Sequence, residues 1–175
     1  NLPQTPRPPI LMIGGGGEKK TLPIVARNAD WWNGGGDAET YQRKVDVLKR
    51  ECDAIGRDFS SLRLTWFGGA SVGNTSEEIQ RRVRDDFIRD QGIWGNRDEV
   101  TKKIEALINA GCTYFISQVV YDLGAAKDLA SDYAYACRQA RVPPVPNFFT
   151  LSLCGSAKTL DFLHWLGVDV PRWMR

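Results

Sequence analysis

The sequence holds a single histidine, His164, among 175 residues. A metal centre built on several histidines, or a catalytic triad with a histidine to spare, is therefore hard to assemble. His164 lies in the segment TLDFLHWLG, which has helical spacing. We therefore predict a residue packed on a helix, and no metal site.

Long apolar runs and a strong charge of either sign are also missing. No stretch approaches the roughly 20 apolar residues of a membrane-spanning helix, so we expect no membrane insertion. The formal net charge of +2 offers no broad basic surface for nucleic acid. The polar, proline-rich start NLPQTPRPP does not resemble a signal peptide, and it lacks an initiator methionine. We expect a chain that is processed, excised or engineered.

The cysteines are few and far apart: Cys52, Cys112, Cys137 and Cys154 form no C-x-x-C pair. Their spacing does not match the common zinc and redox motifs. We expect reduced, mostly buried thiols, which are typical of a cytoplasmic protein.

The most informative stretch is residues 9–27, PILMIGGGGEKKTLPIVAR. Residues 10–13 form an unbroken apolar run, which predicts a strand buried on both faces. A run of glycines, two lysines and a segment of helical spacing follow. Strand, glycine loop and helix together favour a phosphate cradle for a nucleotide-like cofactor, because backbone N–H groups can approach an anion there.

A flexible turn between strand and helix is the alternative to this cradle. The spacing matches neither a Walker loop nor a clean G-x-G-x-x-G pattern. The candidate cofactor-binding residues are Gly14, Gly15, Gly16, Gly17, Lys19 and Lys20.

Strand and helix patterns alternate along the rest of the chain, which predicts a parallel sheet built from βαβ units. Including residues 10–13, we count about five strands, whereas a closed (β/α)8 barrel needs eight and typically about 250 residues. The predicted fold is α/β: one parallel, TIM-barrel-like domain over residues 1–175 that is incomplete as a single chain. Further strands are expected at 29–33, 62–67, 114–120 and 145–153. Helices are expected at 37–55, 98–110, 123–140 and 156–166, and from 75 or 76 through Phe87. Residues 89–97 are expected to form a loop.

Residues 8–116 resemble the luciferase-like monooxygenase family. The matching segments are PPILMIGGGGEKKTLPIVARNADWWN, the stretch from IGRD to SLRLTWF, and the helix at 98–110 followed by GCTYFI. The resemblance implies a TIM-like barrel that binds FMN, FAD or a deazaflavin, with the glycine loop near the cofactor phosphate. The N-terminal barrel strands of that family, which carry much of the ring-binding pocket, are absent from this sequence.

Residues 110–175 resemble the methylenetetrahydrofolate reductase family, in AGCTYFISQVVYD and in the stretch from ACRQARVPPVP to VPRWM. The resemblance implies that Gln118 hydrogen-bonds the pterin of a folate-like substrate and that Tyr121 and Asp122 form the aromatic–acid pair after it. Phe148 or Phe149 could stack on a ring or fill the core, and we expect core packing for at least one of them. The catalytic acid of that family is absent, so no catalytic residue is assigned.

The two resemblances meet near residues 110–116, and three explanations stay open. The chain is a recombined or designed chimera, a natural divergent relative, or a protein for which one resemblance is superficial. Two functions follow. One is a hydride-transferring oxidoreductase. In it, Trp31 and Trp32 either line the site of the cofactor ring, or one of them packs in the core while the other lies on the surface. The other is an inactive barrel fragment that forms a homo-oligomer or needs a partner chain to complete the barrel.

Overall fold

The computed structural model describes residues 10–82, 92–165, 168 and 170–172. Within them lie seven strands: β1 Met12–Gly14, β2 Trp31–Gly34, β3 Arg63–Gly68, β4 Ala70–Val72, β5 Ile93–Gly95, β6 Tyr114–Val119 and β7 Asn147–Thr150. The helices are α1 Thr21–Asn28, α2 Ala38–Ala54, α3 Ser76–Arg82, α4 Arg97–Asn109, α5 Leu123–Ala140 and α6 Ala157–Trp165, with a short 3-10 helix at Phe59–Ser61.

Five strands form one parallel sheet in the order β1-β2-β3-β6-β7. Strands β4 and β5 pair in parallel as a separate ribbon. In the described part of the chain β1 and β7 are the edges of the main sheet, which does not close on itself. The predicted fold class, a TIM-barrel-like parallel α/β fold that is incomplete as a single chain, is confirmed.

The hydrophobic core lies between the helices and one face of the sheet. We call this face, which the helices cover, the outer face. Its strand residues form one buried cluster with apolar side chains of α1, α2 and α4; they are Trp32, Leu64, Trp66 and Phe115. The helix predicted at 37–55 is observed as α2, and one apolar stripe of it is buried: Tyr41, Val45, Leu48 and Cys52.

The opposite face of the sheet, called the inner face below, carries alternate residues of each strand. Strand register places Met12, Trp31, Thr65, Tyr114 and Phe148 on it. Three of these rings pack together: Trp31 stacks on Tyr114 with centroids 5.0 Å apart, and Tyr114 lies 5.4 Å from Phe148. The prediction that at least one of Phe148 and Phe149 fills the core is wrong, because both lie on β7, an edge strand in the described part of the chain, and are more than one third exposed.

The prediction that residues 10–13 form a strand buried on both faces is wrong. The strand is shorter, Met12–Gly14, and Ile10 and Met12 are 52% and 40% exposed. The physical reason is position: among the described residues, β1 has a neighbouring strand on one side only, and no described element packs over Ile10 and Met12 closely enough to bury them. An apolar run shows that burial is favourable, but it does not show which element supplies the cover.

The predicted loop at 89–97 is wrong over residues 93–95, which form β5 and pair with β4. A strand of three residues has no period to detect, and its partner is about twenty residues away in sequence. The remaining residues of that predicted loop up to 91, together with Val83 and Phe87 of the predicted helix, lie outside the described residues.

The four cysteines follow the expectation of mostly buried thiols. Cys52, Cys112 and Cys137 are buried, whereas Cys154 is half-buried. Burial raises the pKa of the Cys112 thiol to about 11, so this thiol stays protonated near neutral pH.

Hydrogen bonds between nearby residues cap the start of α4, and a substitution can test how much they stabilise the protein. The Asn96 side chain accepts a hydrogen bond from the Glu99 backbone N–H at 3.0 Å, and Glu99 Oε2 accepts one from the Asn96 N–H at 2.9 Å, which completes a capping box. We expect Asn96→Ala to lower the free energy of unfolding by about 1 kcal/mol in urea denaturation. Asn109→Ala, at the other end of the same helix, serves as the control and should stay within about 0.5 kcal/mol of wild type. Equal losses in both variants would contradict the capping role.

Candidate functional site

The predicted site residues lie at the carboxyl ends of the parallel strands. This edge of the sheet runs across the strands and is distinct from the edge strands β1 and β7. Gly14 is the last residue of β1, and the glycines that follow lead into α1. Gln118 lies near the end of β6, and Tyr121 and Asp122 follow that strand. Ligands of parallel α/β folds bind at this edge, because the loops that follow the strands converge there.

The glycine loop after β1 is held in place by β2. The Gly15 N–H donates to the Asn33 carbonyl oxygen at 3.2 Å, and the Trp32 indole N–H donates to the Gly15 carbonyl oxygen at 2.7 Å. Gly15 has φ +103°, a conformation that strains any residue with a Cβ atom. The sheet therefore determines the conformation of this loop.

Lys44, which was not predicted from the sequence as a site residue, lies against this loop. A Cβ atom built on Gly16 would lie 2.5 Å from Lys44 Nζ, so the Lys44 side chain rests directly on the glycine backbone. Lys44 is in the second turn of α2, beside the buried Tyr41 and Val45. Lys44 lies early in the helix that follows β2 and next to the apolar stripe of that helix. This position in the sequence could have identified Lys44 as a site residue.

The two predicted lysines lie further along the same connection. Lys19 and Lys20 are both exposed, and Lys20 immediately precedes α1 without a side-chain capping bond. Next to them, Glu18 pairs with Arg43 of α2 at 3.2 Å, which is a second contact between this loop and α2. Because both partners are exposed, this ion pair contributes little to stability.

Two tryptophan side chains brace the loops from the core, and sequence reasoning missed this role. The Trp66 indole N–H donates to the Gly36 carbonyl oxygen at 2.8 Å after β2, as Trp32 does for Gly15 after β1. Trp32 is fully buried and stacks on Tyr41 at 5.1 Å. Of the two interpretations of Trp31 and Trp32, the structure supports the division between core and surface, because a fully buried Trp32 cannot wall a ligand ring.

Gln118 is half-buried in β6 at an irregularity in the sheet. The β6–β7 register shifts between Ile116 and Val119, and the Gln118 Oε1 atom accepts a hydrogen bond from the Val119 N–H at 3.1 Å. The hydroxyl of Ser117 accepts from the Thr150 N–H at 3.0 Å and bridges the two strands at this point. Local hydrogen bonds thus set the course of the backbone around Gln118.

Tyr121 and Asp122 occupy different surroundings. Tyr121 packs against the small apolar cluster of Leu163, Val168 and Val170. Its hydroxyl oxygen is buried and has no hydrogen-bond partner among the described residues. Asp122 immediately precedes α5, and its carboxylate lies over the first turn, 3.1 Å from where a Cβ on Gly124 would sit.

The glycine loop and Gln118 share one edge of the sheet, but β2 and β3 separate them. At a spacing of about 4.8 Å per strand, the ends of β1 and β6 are on the order of 14 Å apart. Glycines end the two intervening strands as well, at Gly34 and Gly68. The arrangement suits an extended ligand that reaches across the strand ends rather than a compact one.

A cavity of about 630 Å³ opens beside the loop after β2, between the start of α2, β5 and α4. Its charged side chains already have local partners. Asp37 accepts a hydrogen bond from the Thr40 N–H at 2.8 Å, which holds the pKa of that carboxyl below its ordinary value. Lys103 Nζ donates to the Trp94 carbonyl oxygen at 2.6 Å.

The part of the chain that the structure describes offers neither a metal-binding cluster nor a membrane-spanning helix. No group of three or more histidine, cysteine, aspartate or glutamate side chains is arranged there to hold a metal ion. Within the same residues, no helix has the length and apolar character needed to cross a membrane.

The sequence of this chain matches one known protein family. The sequence model of the luciferase-like monooxygenases matches residues 1–91, which is more than half of the chain. No curated protein matches the chain.

Solved structures with the same fold include three oxidoreductases. EDTA monooxygenase from Chelativorans sp. BNC1 aligns over 81% of this chain and 47% of its own, with 14% identity and a TM-score of 0.61. Long-chain alkane monooxygenase aligns over 78% and 42%, with 15% identity and a TM-score of 0.60. The coenzyme F420 dependent tetrahydromethanopterin reductase from Methanopyrus kandleri aligns over 70% and 48%, with 15% identity and a TM-score of 0.50. The chain thus spans less than half the length of each.

Proposed function

Because the chain belongs to the luciferase-like monooxygenase family, we propose that it holds the anionic tail of the cofactor in a flavin- or deazaflavin-dependent oxidoreductase. The observation that carries this proposal is Lys44 resting against a glycine loop whose conformation is set by β2. Structures of the same fold include monooxygenases and a reductase that depends on coenzyme F420.

The residues at this loop fit a phosphate group. Four successive residues without side chains leave the backbone accessible, and Gly15 takes a conformation that favours glycine. Lys44 supplies a positive charge at the loop, and Lys19 and Lys20 add exposed charge nearby. FMN, FAD and deazaflavin cofactors all carry a phosphate on the side chain of a tricyclic ring, so this fit supports the class without choosing among them.

The bound cofactor would supply the redox chemistry, while the residues of this chain bind and orient it. We propose that the ends of β2 and β3, which lie between the glycine loop and Gln118, would accommodate the rest of the cofactor. An amide side chain can both donate and accept hydrogen bonds, which suits the edge of a pterin-like or other planar substrate. The hydroxyl of Tyr121, which has no hydrogen-bond partner among the described residues, and the carboxylate of Asp122 are the neighbouring polar groups after β6. A cytoplasmic location stays a prediction.

The first experiment is a spectroscopic titration of the purified chain with FMN, FAD and coenzyme F420. We expect one of the three to bind with a shift in its visible absorption. Intact mass spectrometry and far-UV circular dichroism establish that the chain is whole and folded. A folded chain that leaves all three spectra unchanged would overturn the oxidoreductase proposal.

Lys44→Ala is the sharpest test of the anion site. Removing a charge-assisted contact to phosphate costs about 1.5–3 kcal/mol, so the dissociation constant of the cofactor should rise by about 10- to 100-fold. Lys49→Ala is the matched control, because Lys49 lies on the same helix, where it pairs with Asp46 at 3.8 Å. Equal weakening in both variants would indicate a general charge effect and would contradict a specific role for Lys44.

A second candidate function is supported by the inner-face side chains Met12 and Phe148, which the described part of the chain leaves 40% and 46% exposed. On this alternative the chain is a barrel fragment without catalytic activity that folds by assembling with another chain. It predicts an assembled protein that takes up none of the three cofactors, so the same titration separates it from the first.

A further inference from the structure

We infer that Asn33 is a further cofactor-binding residue, whose side-chain amide hydrogen-bonds the hydroxyl groups of the cofactor tail. Asn33 lies in β2, next to the strand that leads into the glycine loop. Its role rests on the proposed function, because FMN, FAD and coenzyme F420 all join the ring to the phosphate through a ribityl chain that carries hydroxyl groups. Asn33 would bind the part of the tail between the two.

The Asn33 side chain lies on the inner face of the sheet, beside the glycine loop. Asn33 follows Trp32, whose ring is buried on the outer face, and successive side chains of a strand point to opposite faces. In register it stands between Gly14 of β1 and Thr65 of β3. Its backbone oxygen accepts a hydrogen bond from the Gly15 N–H at 3.2 Å. A ligand that leaves the loop across the sheet therefore meets Asn33 one strand away.

Thr65 sets the orientation of the Asn33 amide. The Thr65 hydroxyl donates to Asn33 Oδ1 at 2.9 Å, and it lies 3.0 Å from the Trp32 carbonyl oxygen. Thr65 is fully buried, and the rings of Trp31 and Tyr114 stack across β3 on the same face, with centroids 5.0 Å apart. Because Oδ1 is directed at a fixed hydroxyl, the Nδ2 group with its N–H donors is directed away from it.

The neighbouring position on β1 leaves space for a ligand chain. A Cβ atom built on Gly14 would have only the Asn33 backbone oxygen within 4 Å among the described residues, at 3.8 Å. This space leads to the glycine loop, where Lys44 rests against Gly16. Hydroxyl groups can accept hydrogen bonds from an amide N–H, whereas an apolar chain would leave that donor unpaired. A tail with hydroxyl groups beside its phosphate therefore fits Asn33 and the loop together.

Two ligands that differ only in the hydroxyl groups test this role of Asn33. The first is the cofactor that wild type binds among FMN, FAD and coenzyme F420. The second carries a pentyl chain in place of the ribityl chain and is otherwise identical. In spectroscopic titrations, Asn33→Ala should raise the dissociation constant of the ribityl ligand by about 3- to 10-fold and leave that of the pentyl ligand unchanged. Comparing the two ligands isolates the contact between the amide and the hydroxyl groups.

Asn109→Ala is the matched control, because Asn109 is an exposed asparagine at the end of α4 and should not affect either ligand. A second pair of variants tests Thr65 as a positioning residue. Thr65→Val removes the hydroxyl that holds the amide, and it should weaken binding of the ribityl ligand alone, by about 2- to 4-fold. Thr65→Ser keeps the hydroxyl and should bind that ligand like wild type. This pair keeps the test valid if circular dichroism shows that Asn33→Ala does not fold.

The outcomes separate the role of Asn33 from the proposed function. A wild-type chain that takes up none of the three cofactors overturns the proposed function, and the role of Asn33 with it. If wild type binds a cofactor and Asn33→Ala binds it equally well, only the role of Asn33 is overturned. Equal weakening of the ribityl and pentyl ligands in Asn33→Ala overturns that role too, because the effect would then not depend on the hydroxyl groups.

Discussion

We expect Gly15→Asp to abolish cofactor binding by the purified chain, raising the dissociation constant by at least about 100-fold. Gly15 adopts φ +103°, where an added Cβ atom costs on the order of 1–3 kcal/mol. The new carboxylate would also lie in the loop proposed to bind phosphate, where like charges repel. The measurement is the spectroscopic titration with FMN, FAD and coenzyme F420.

Gly56→Asp controls for both the strain and the charge. Gly56 also has a positive φ, +68°, and a Cβ built there meets no atom within 4 Å. It follows α2, far along the chain from the glycine loop, so the variant should bind the cofactor like wild type. A folded Gly15→Asp variant with unchanged affinity would show that the phosphate does not bind at this loop.

Trp32→Ala should cause the largest loss of stability, lowering the free energy of unfolding by about 3–5 kcal/mol. The side chain is fully buried, stacks on Tyr41 at 5.1 Å and donates a hydrogen bond to Gly15. Its removal leaves a large cavity beside α2 and frees the glycine loop at the same time. Urea denaturation followed by circular dichroism measures the change.

Two neighbouring variants separate the contributions of Trp32. Trp31→Ala removes the same side chain one residue earlier, on the inner face, where it stacks on Tyr114 but is only half-buried. It should cost about 1–2 kcal/mol, because the ring pair contributes about 0.5–1.5 kcal/mol beyond the area it buries. Trp32→Phe keeps a ring but removes the N–H donor, so it should cost less than Trp32→Ala and still loosen the loop. Equal losses in the two alanine variants would contradict the division into outer and inner faces.

Local patterns were sufficient to predict the helices. The stripe of Tyr41 and Val45 places α2, and Asn96 with Glu99 marks the first turn of α4. Each signal involves residues within a few positions of one another, which the backbone brings together without help from the rest of the chain. The alternation of strands and helices was equally sufficient for a parallel α/β fold.

The candidate site was only partly predictable. The glycine run after β1 is visible in the sequence, but the residues that support it come from β2 and α2: Trp32, Asn33 and Lys44. The binding roles predicted for Gly14–Gly17, Lys19, Lys20, Gln118, Tyr121 and Asp122 stay predictions. So do the single domain over 1–175, the seam at 110–116 and the resemblance of the second half to the methylenetetrahydrofolate reductases.

By itself, the sequence determined the fold class, the family, the order of the main strands and helices, and the position of the glycine loop. Only the tertiary structure decided that β1 is an exposed edge strand in the described part of the chain and that Lys44 lies against Gly16. The physical reason is the range of the interactions. Periodicity and capping act within one element, whereas burial, edge position and the approach of a distant side chain depend on which elements pack together.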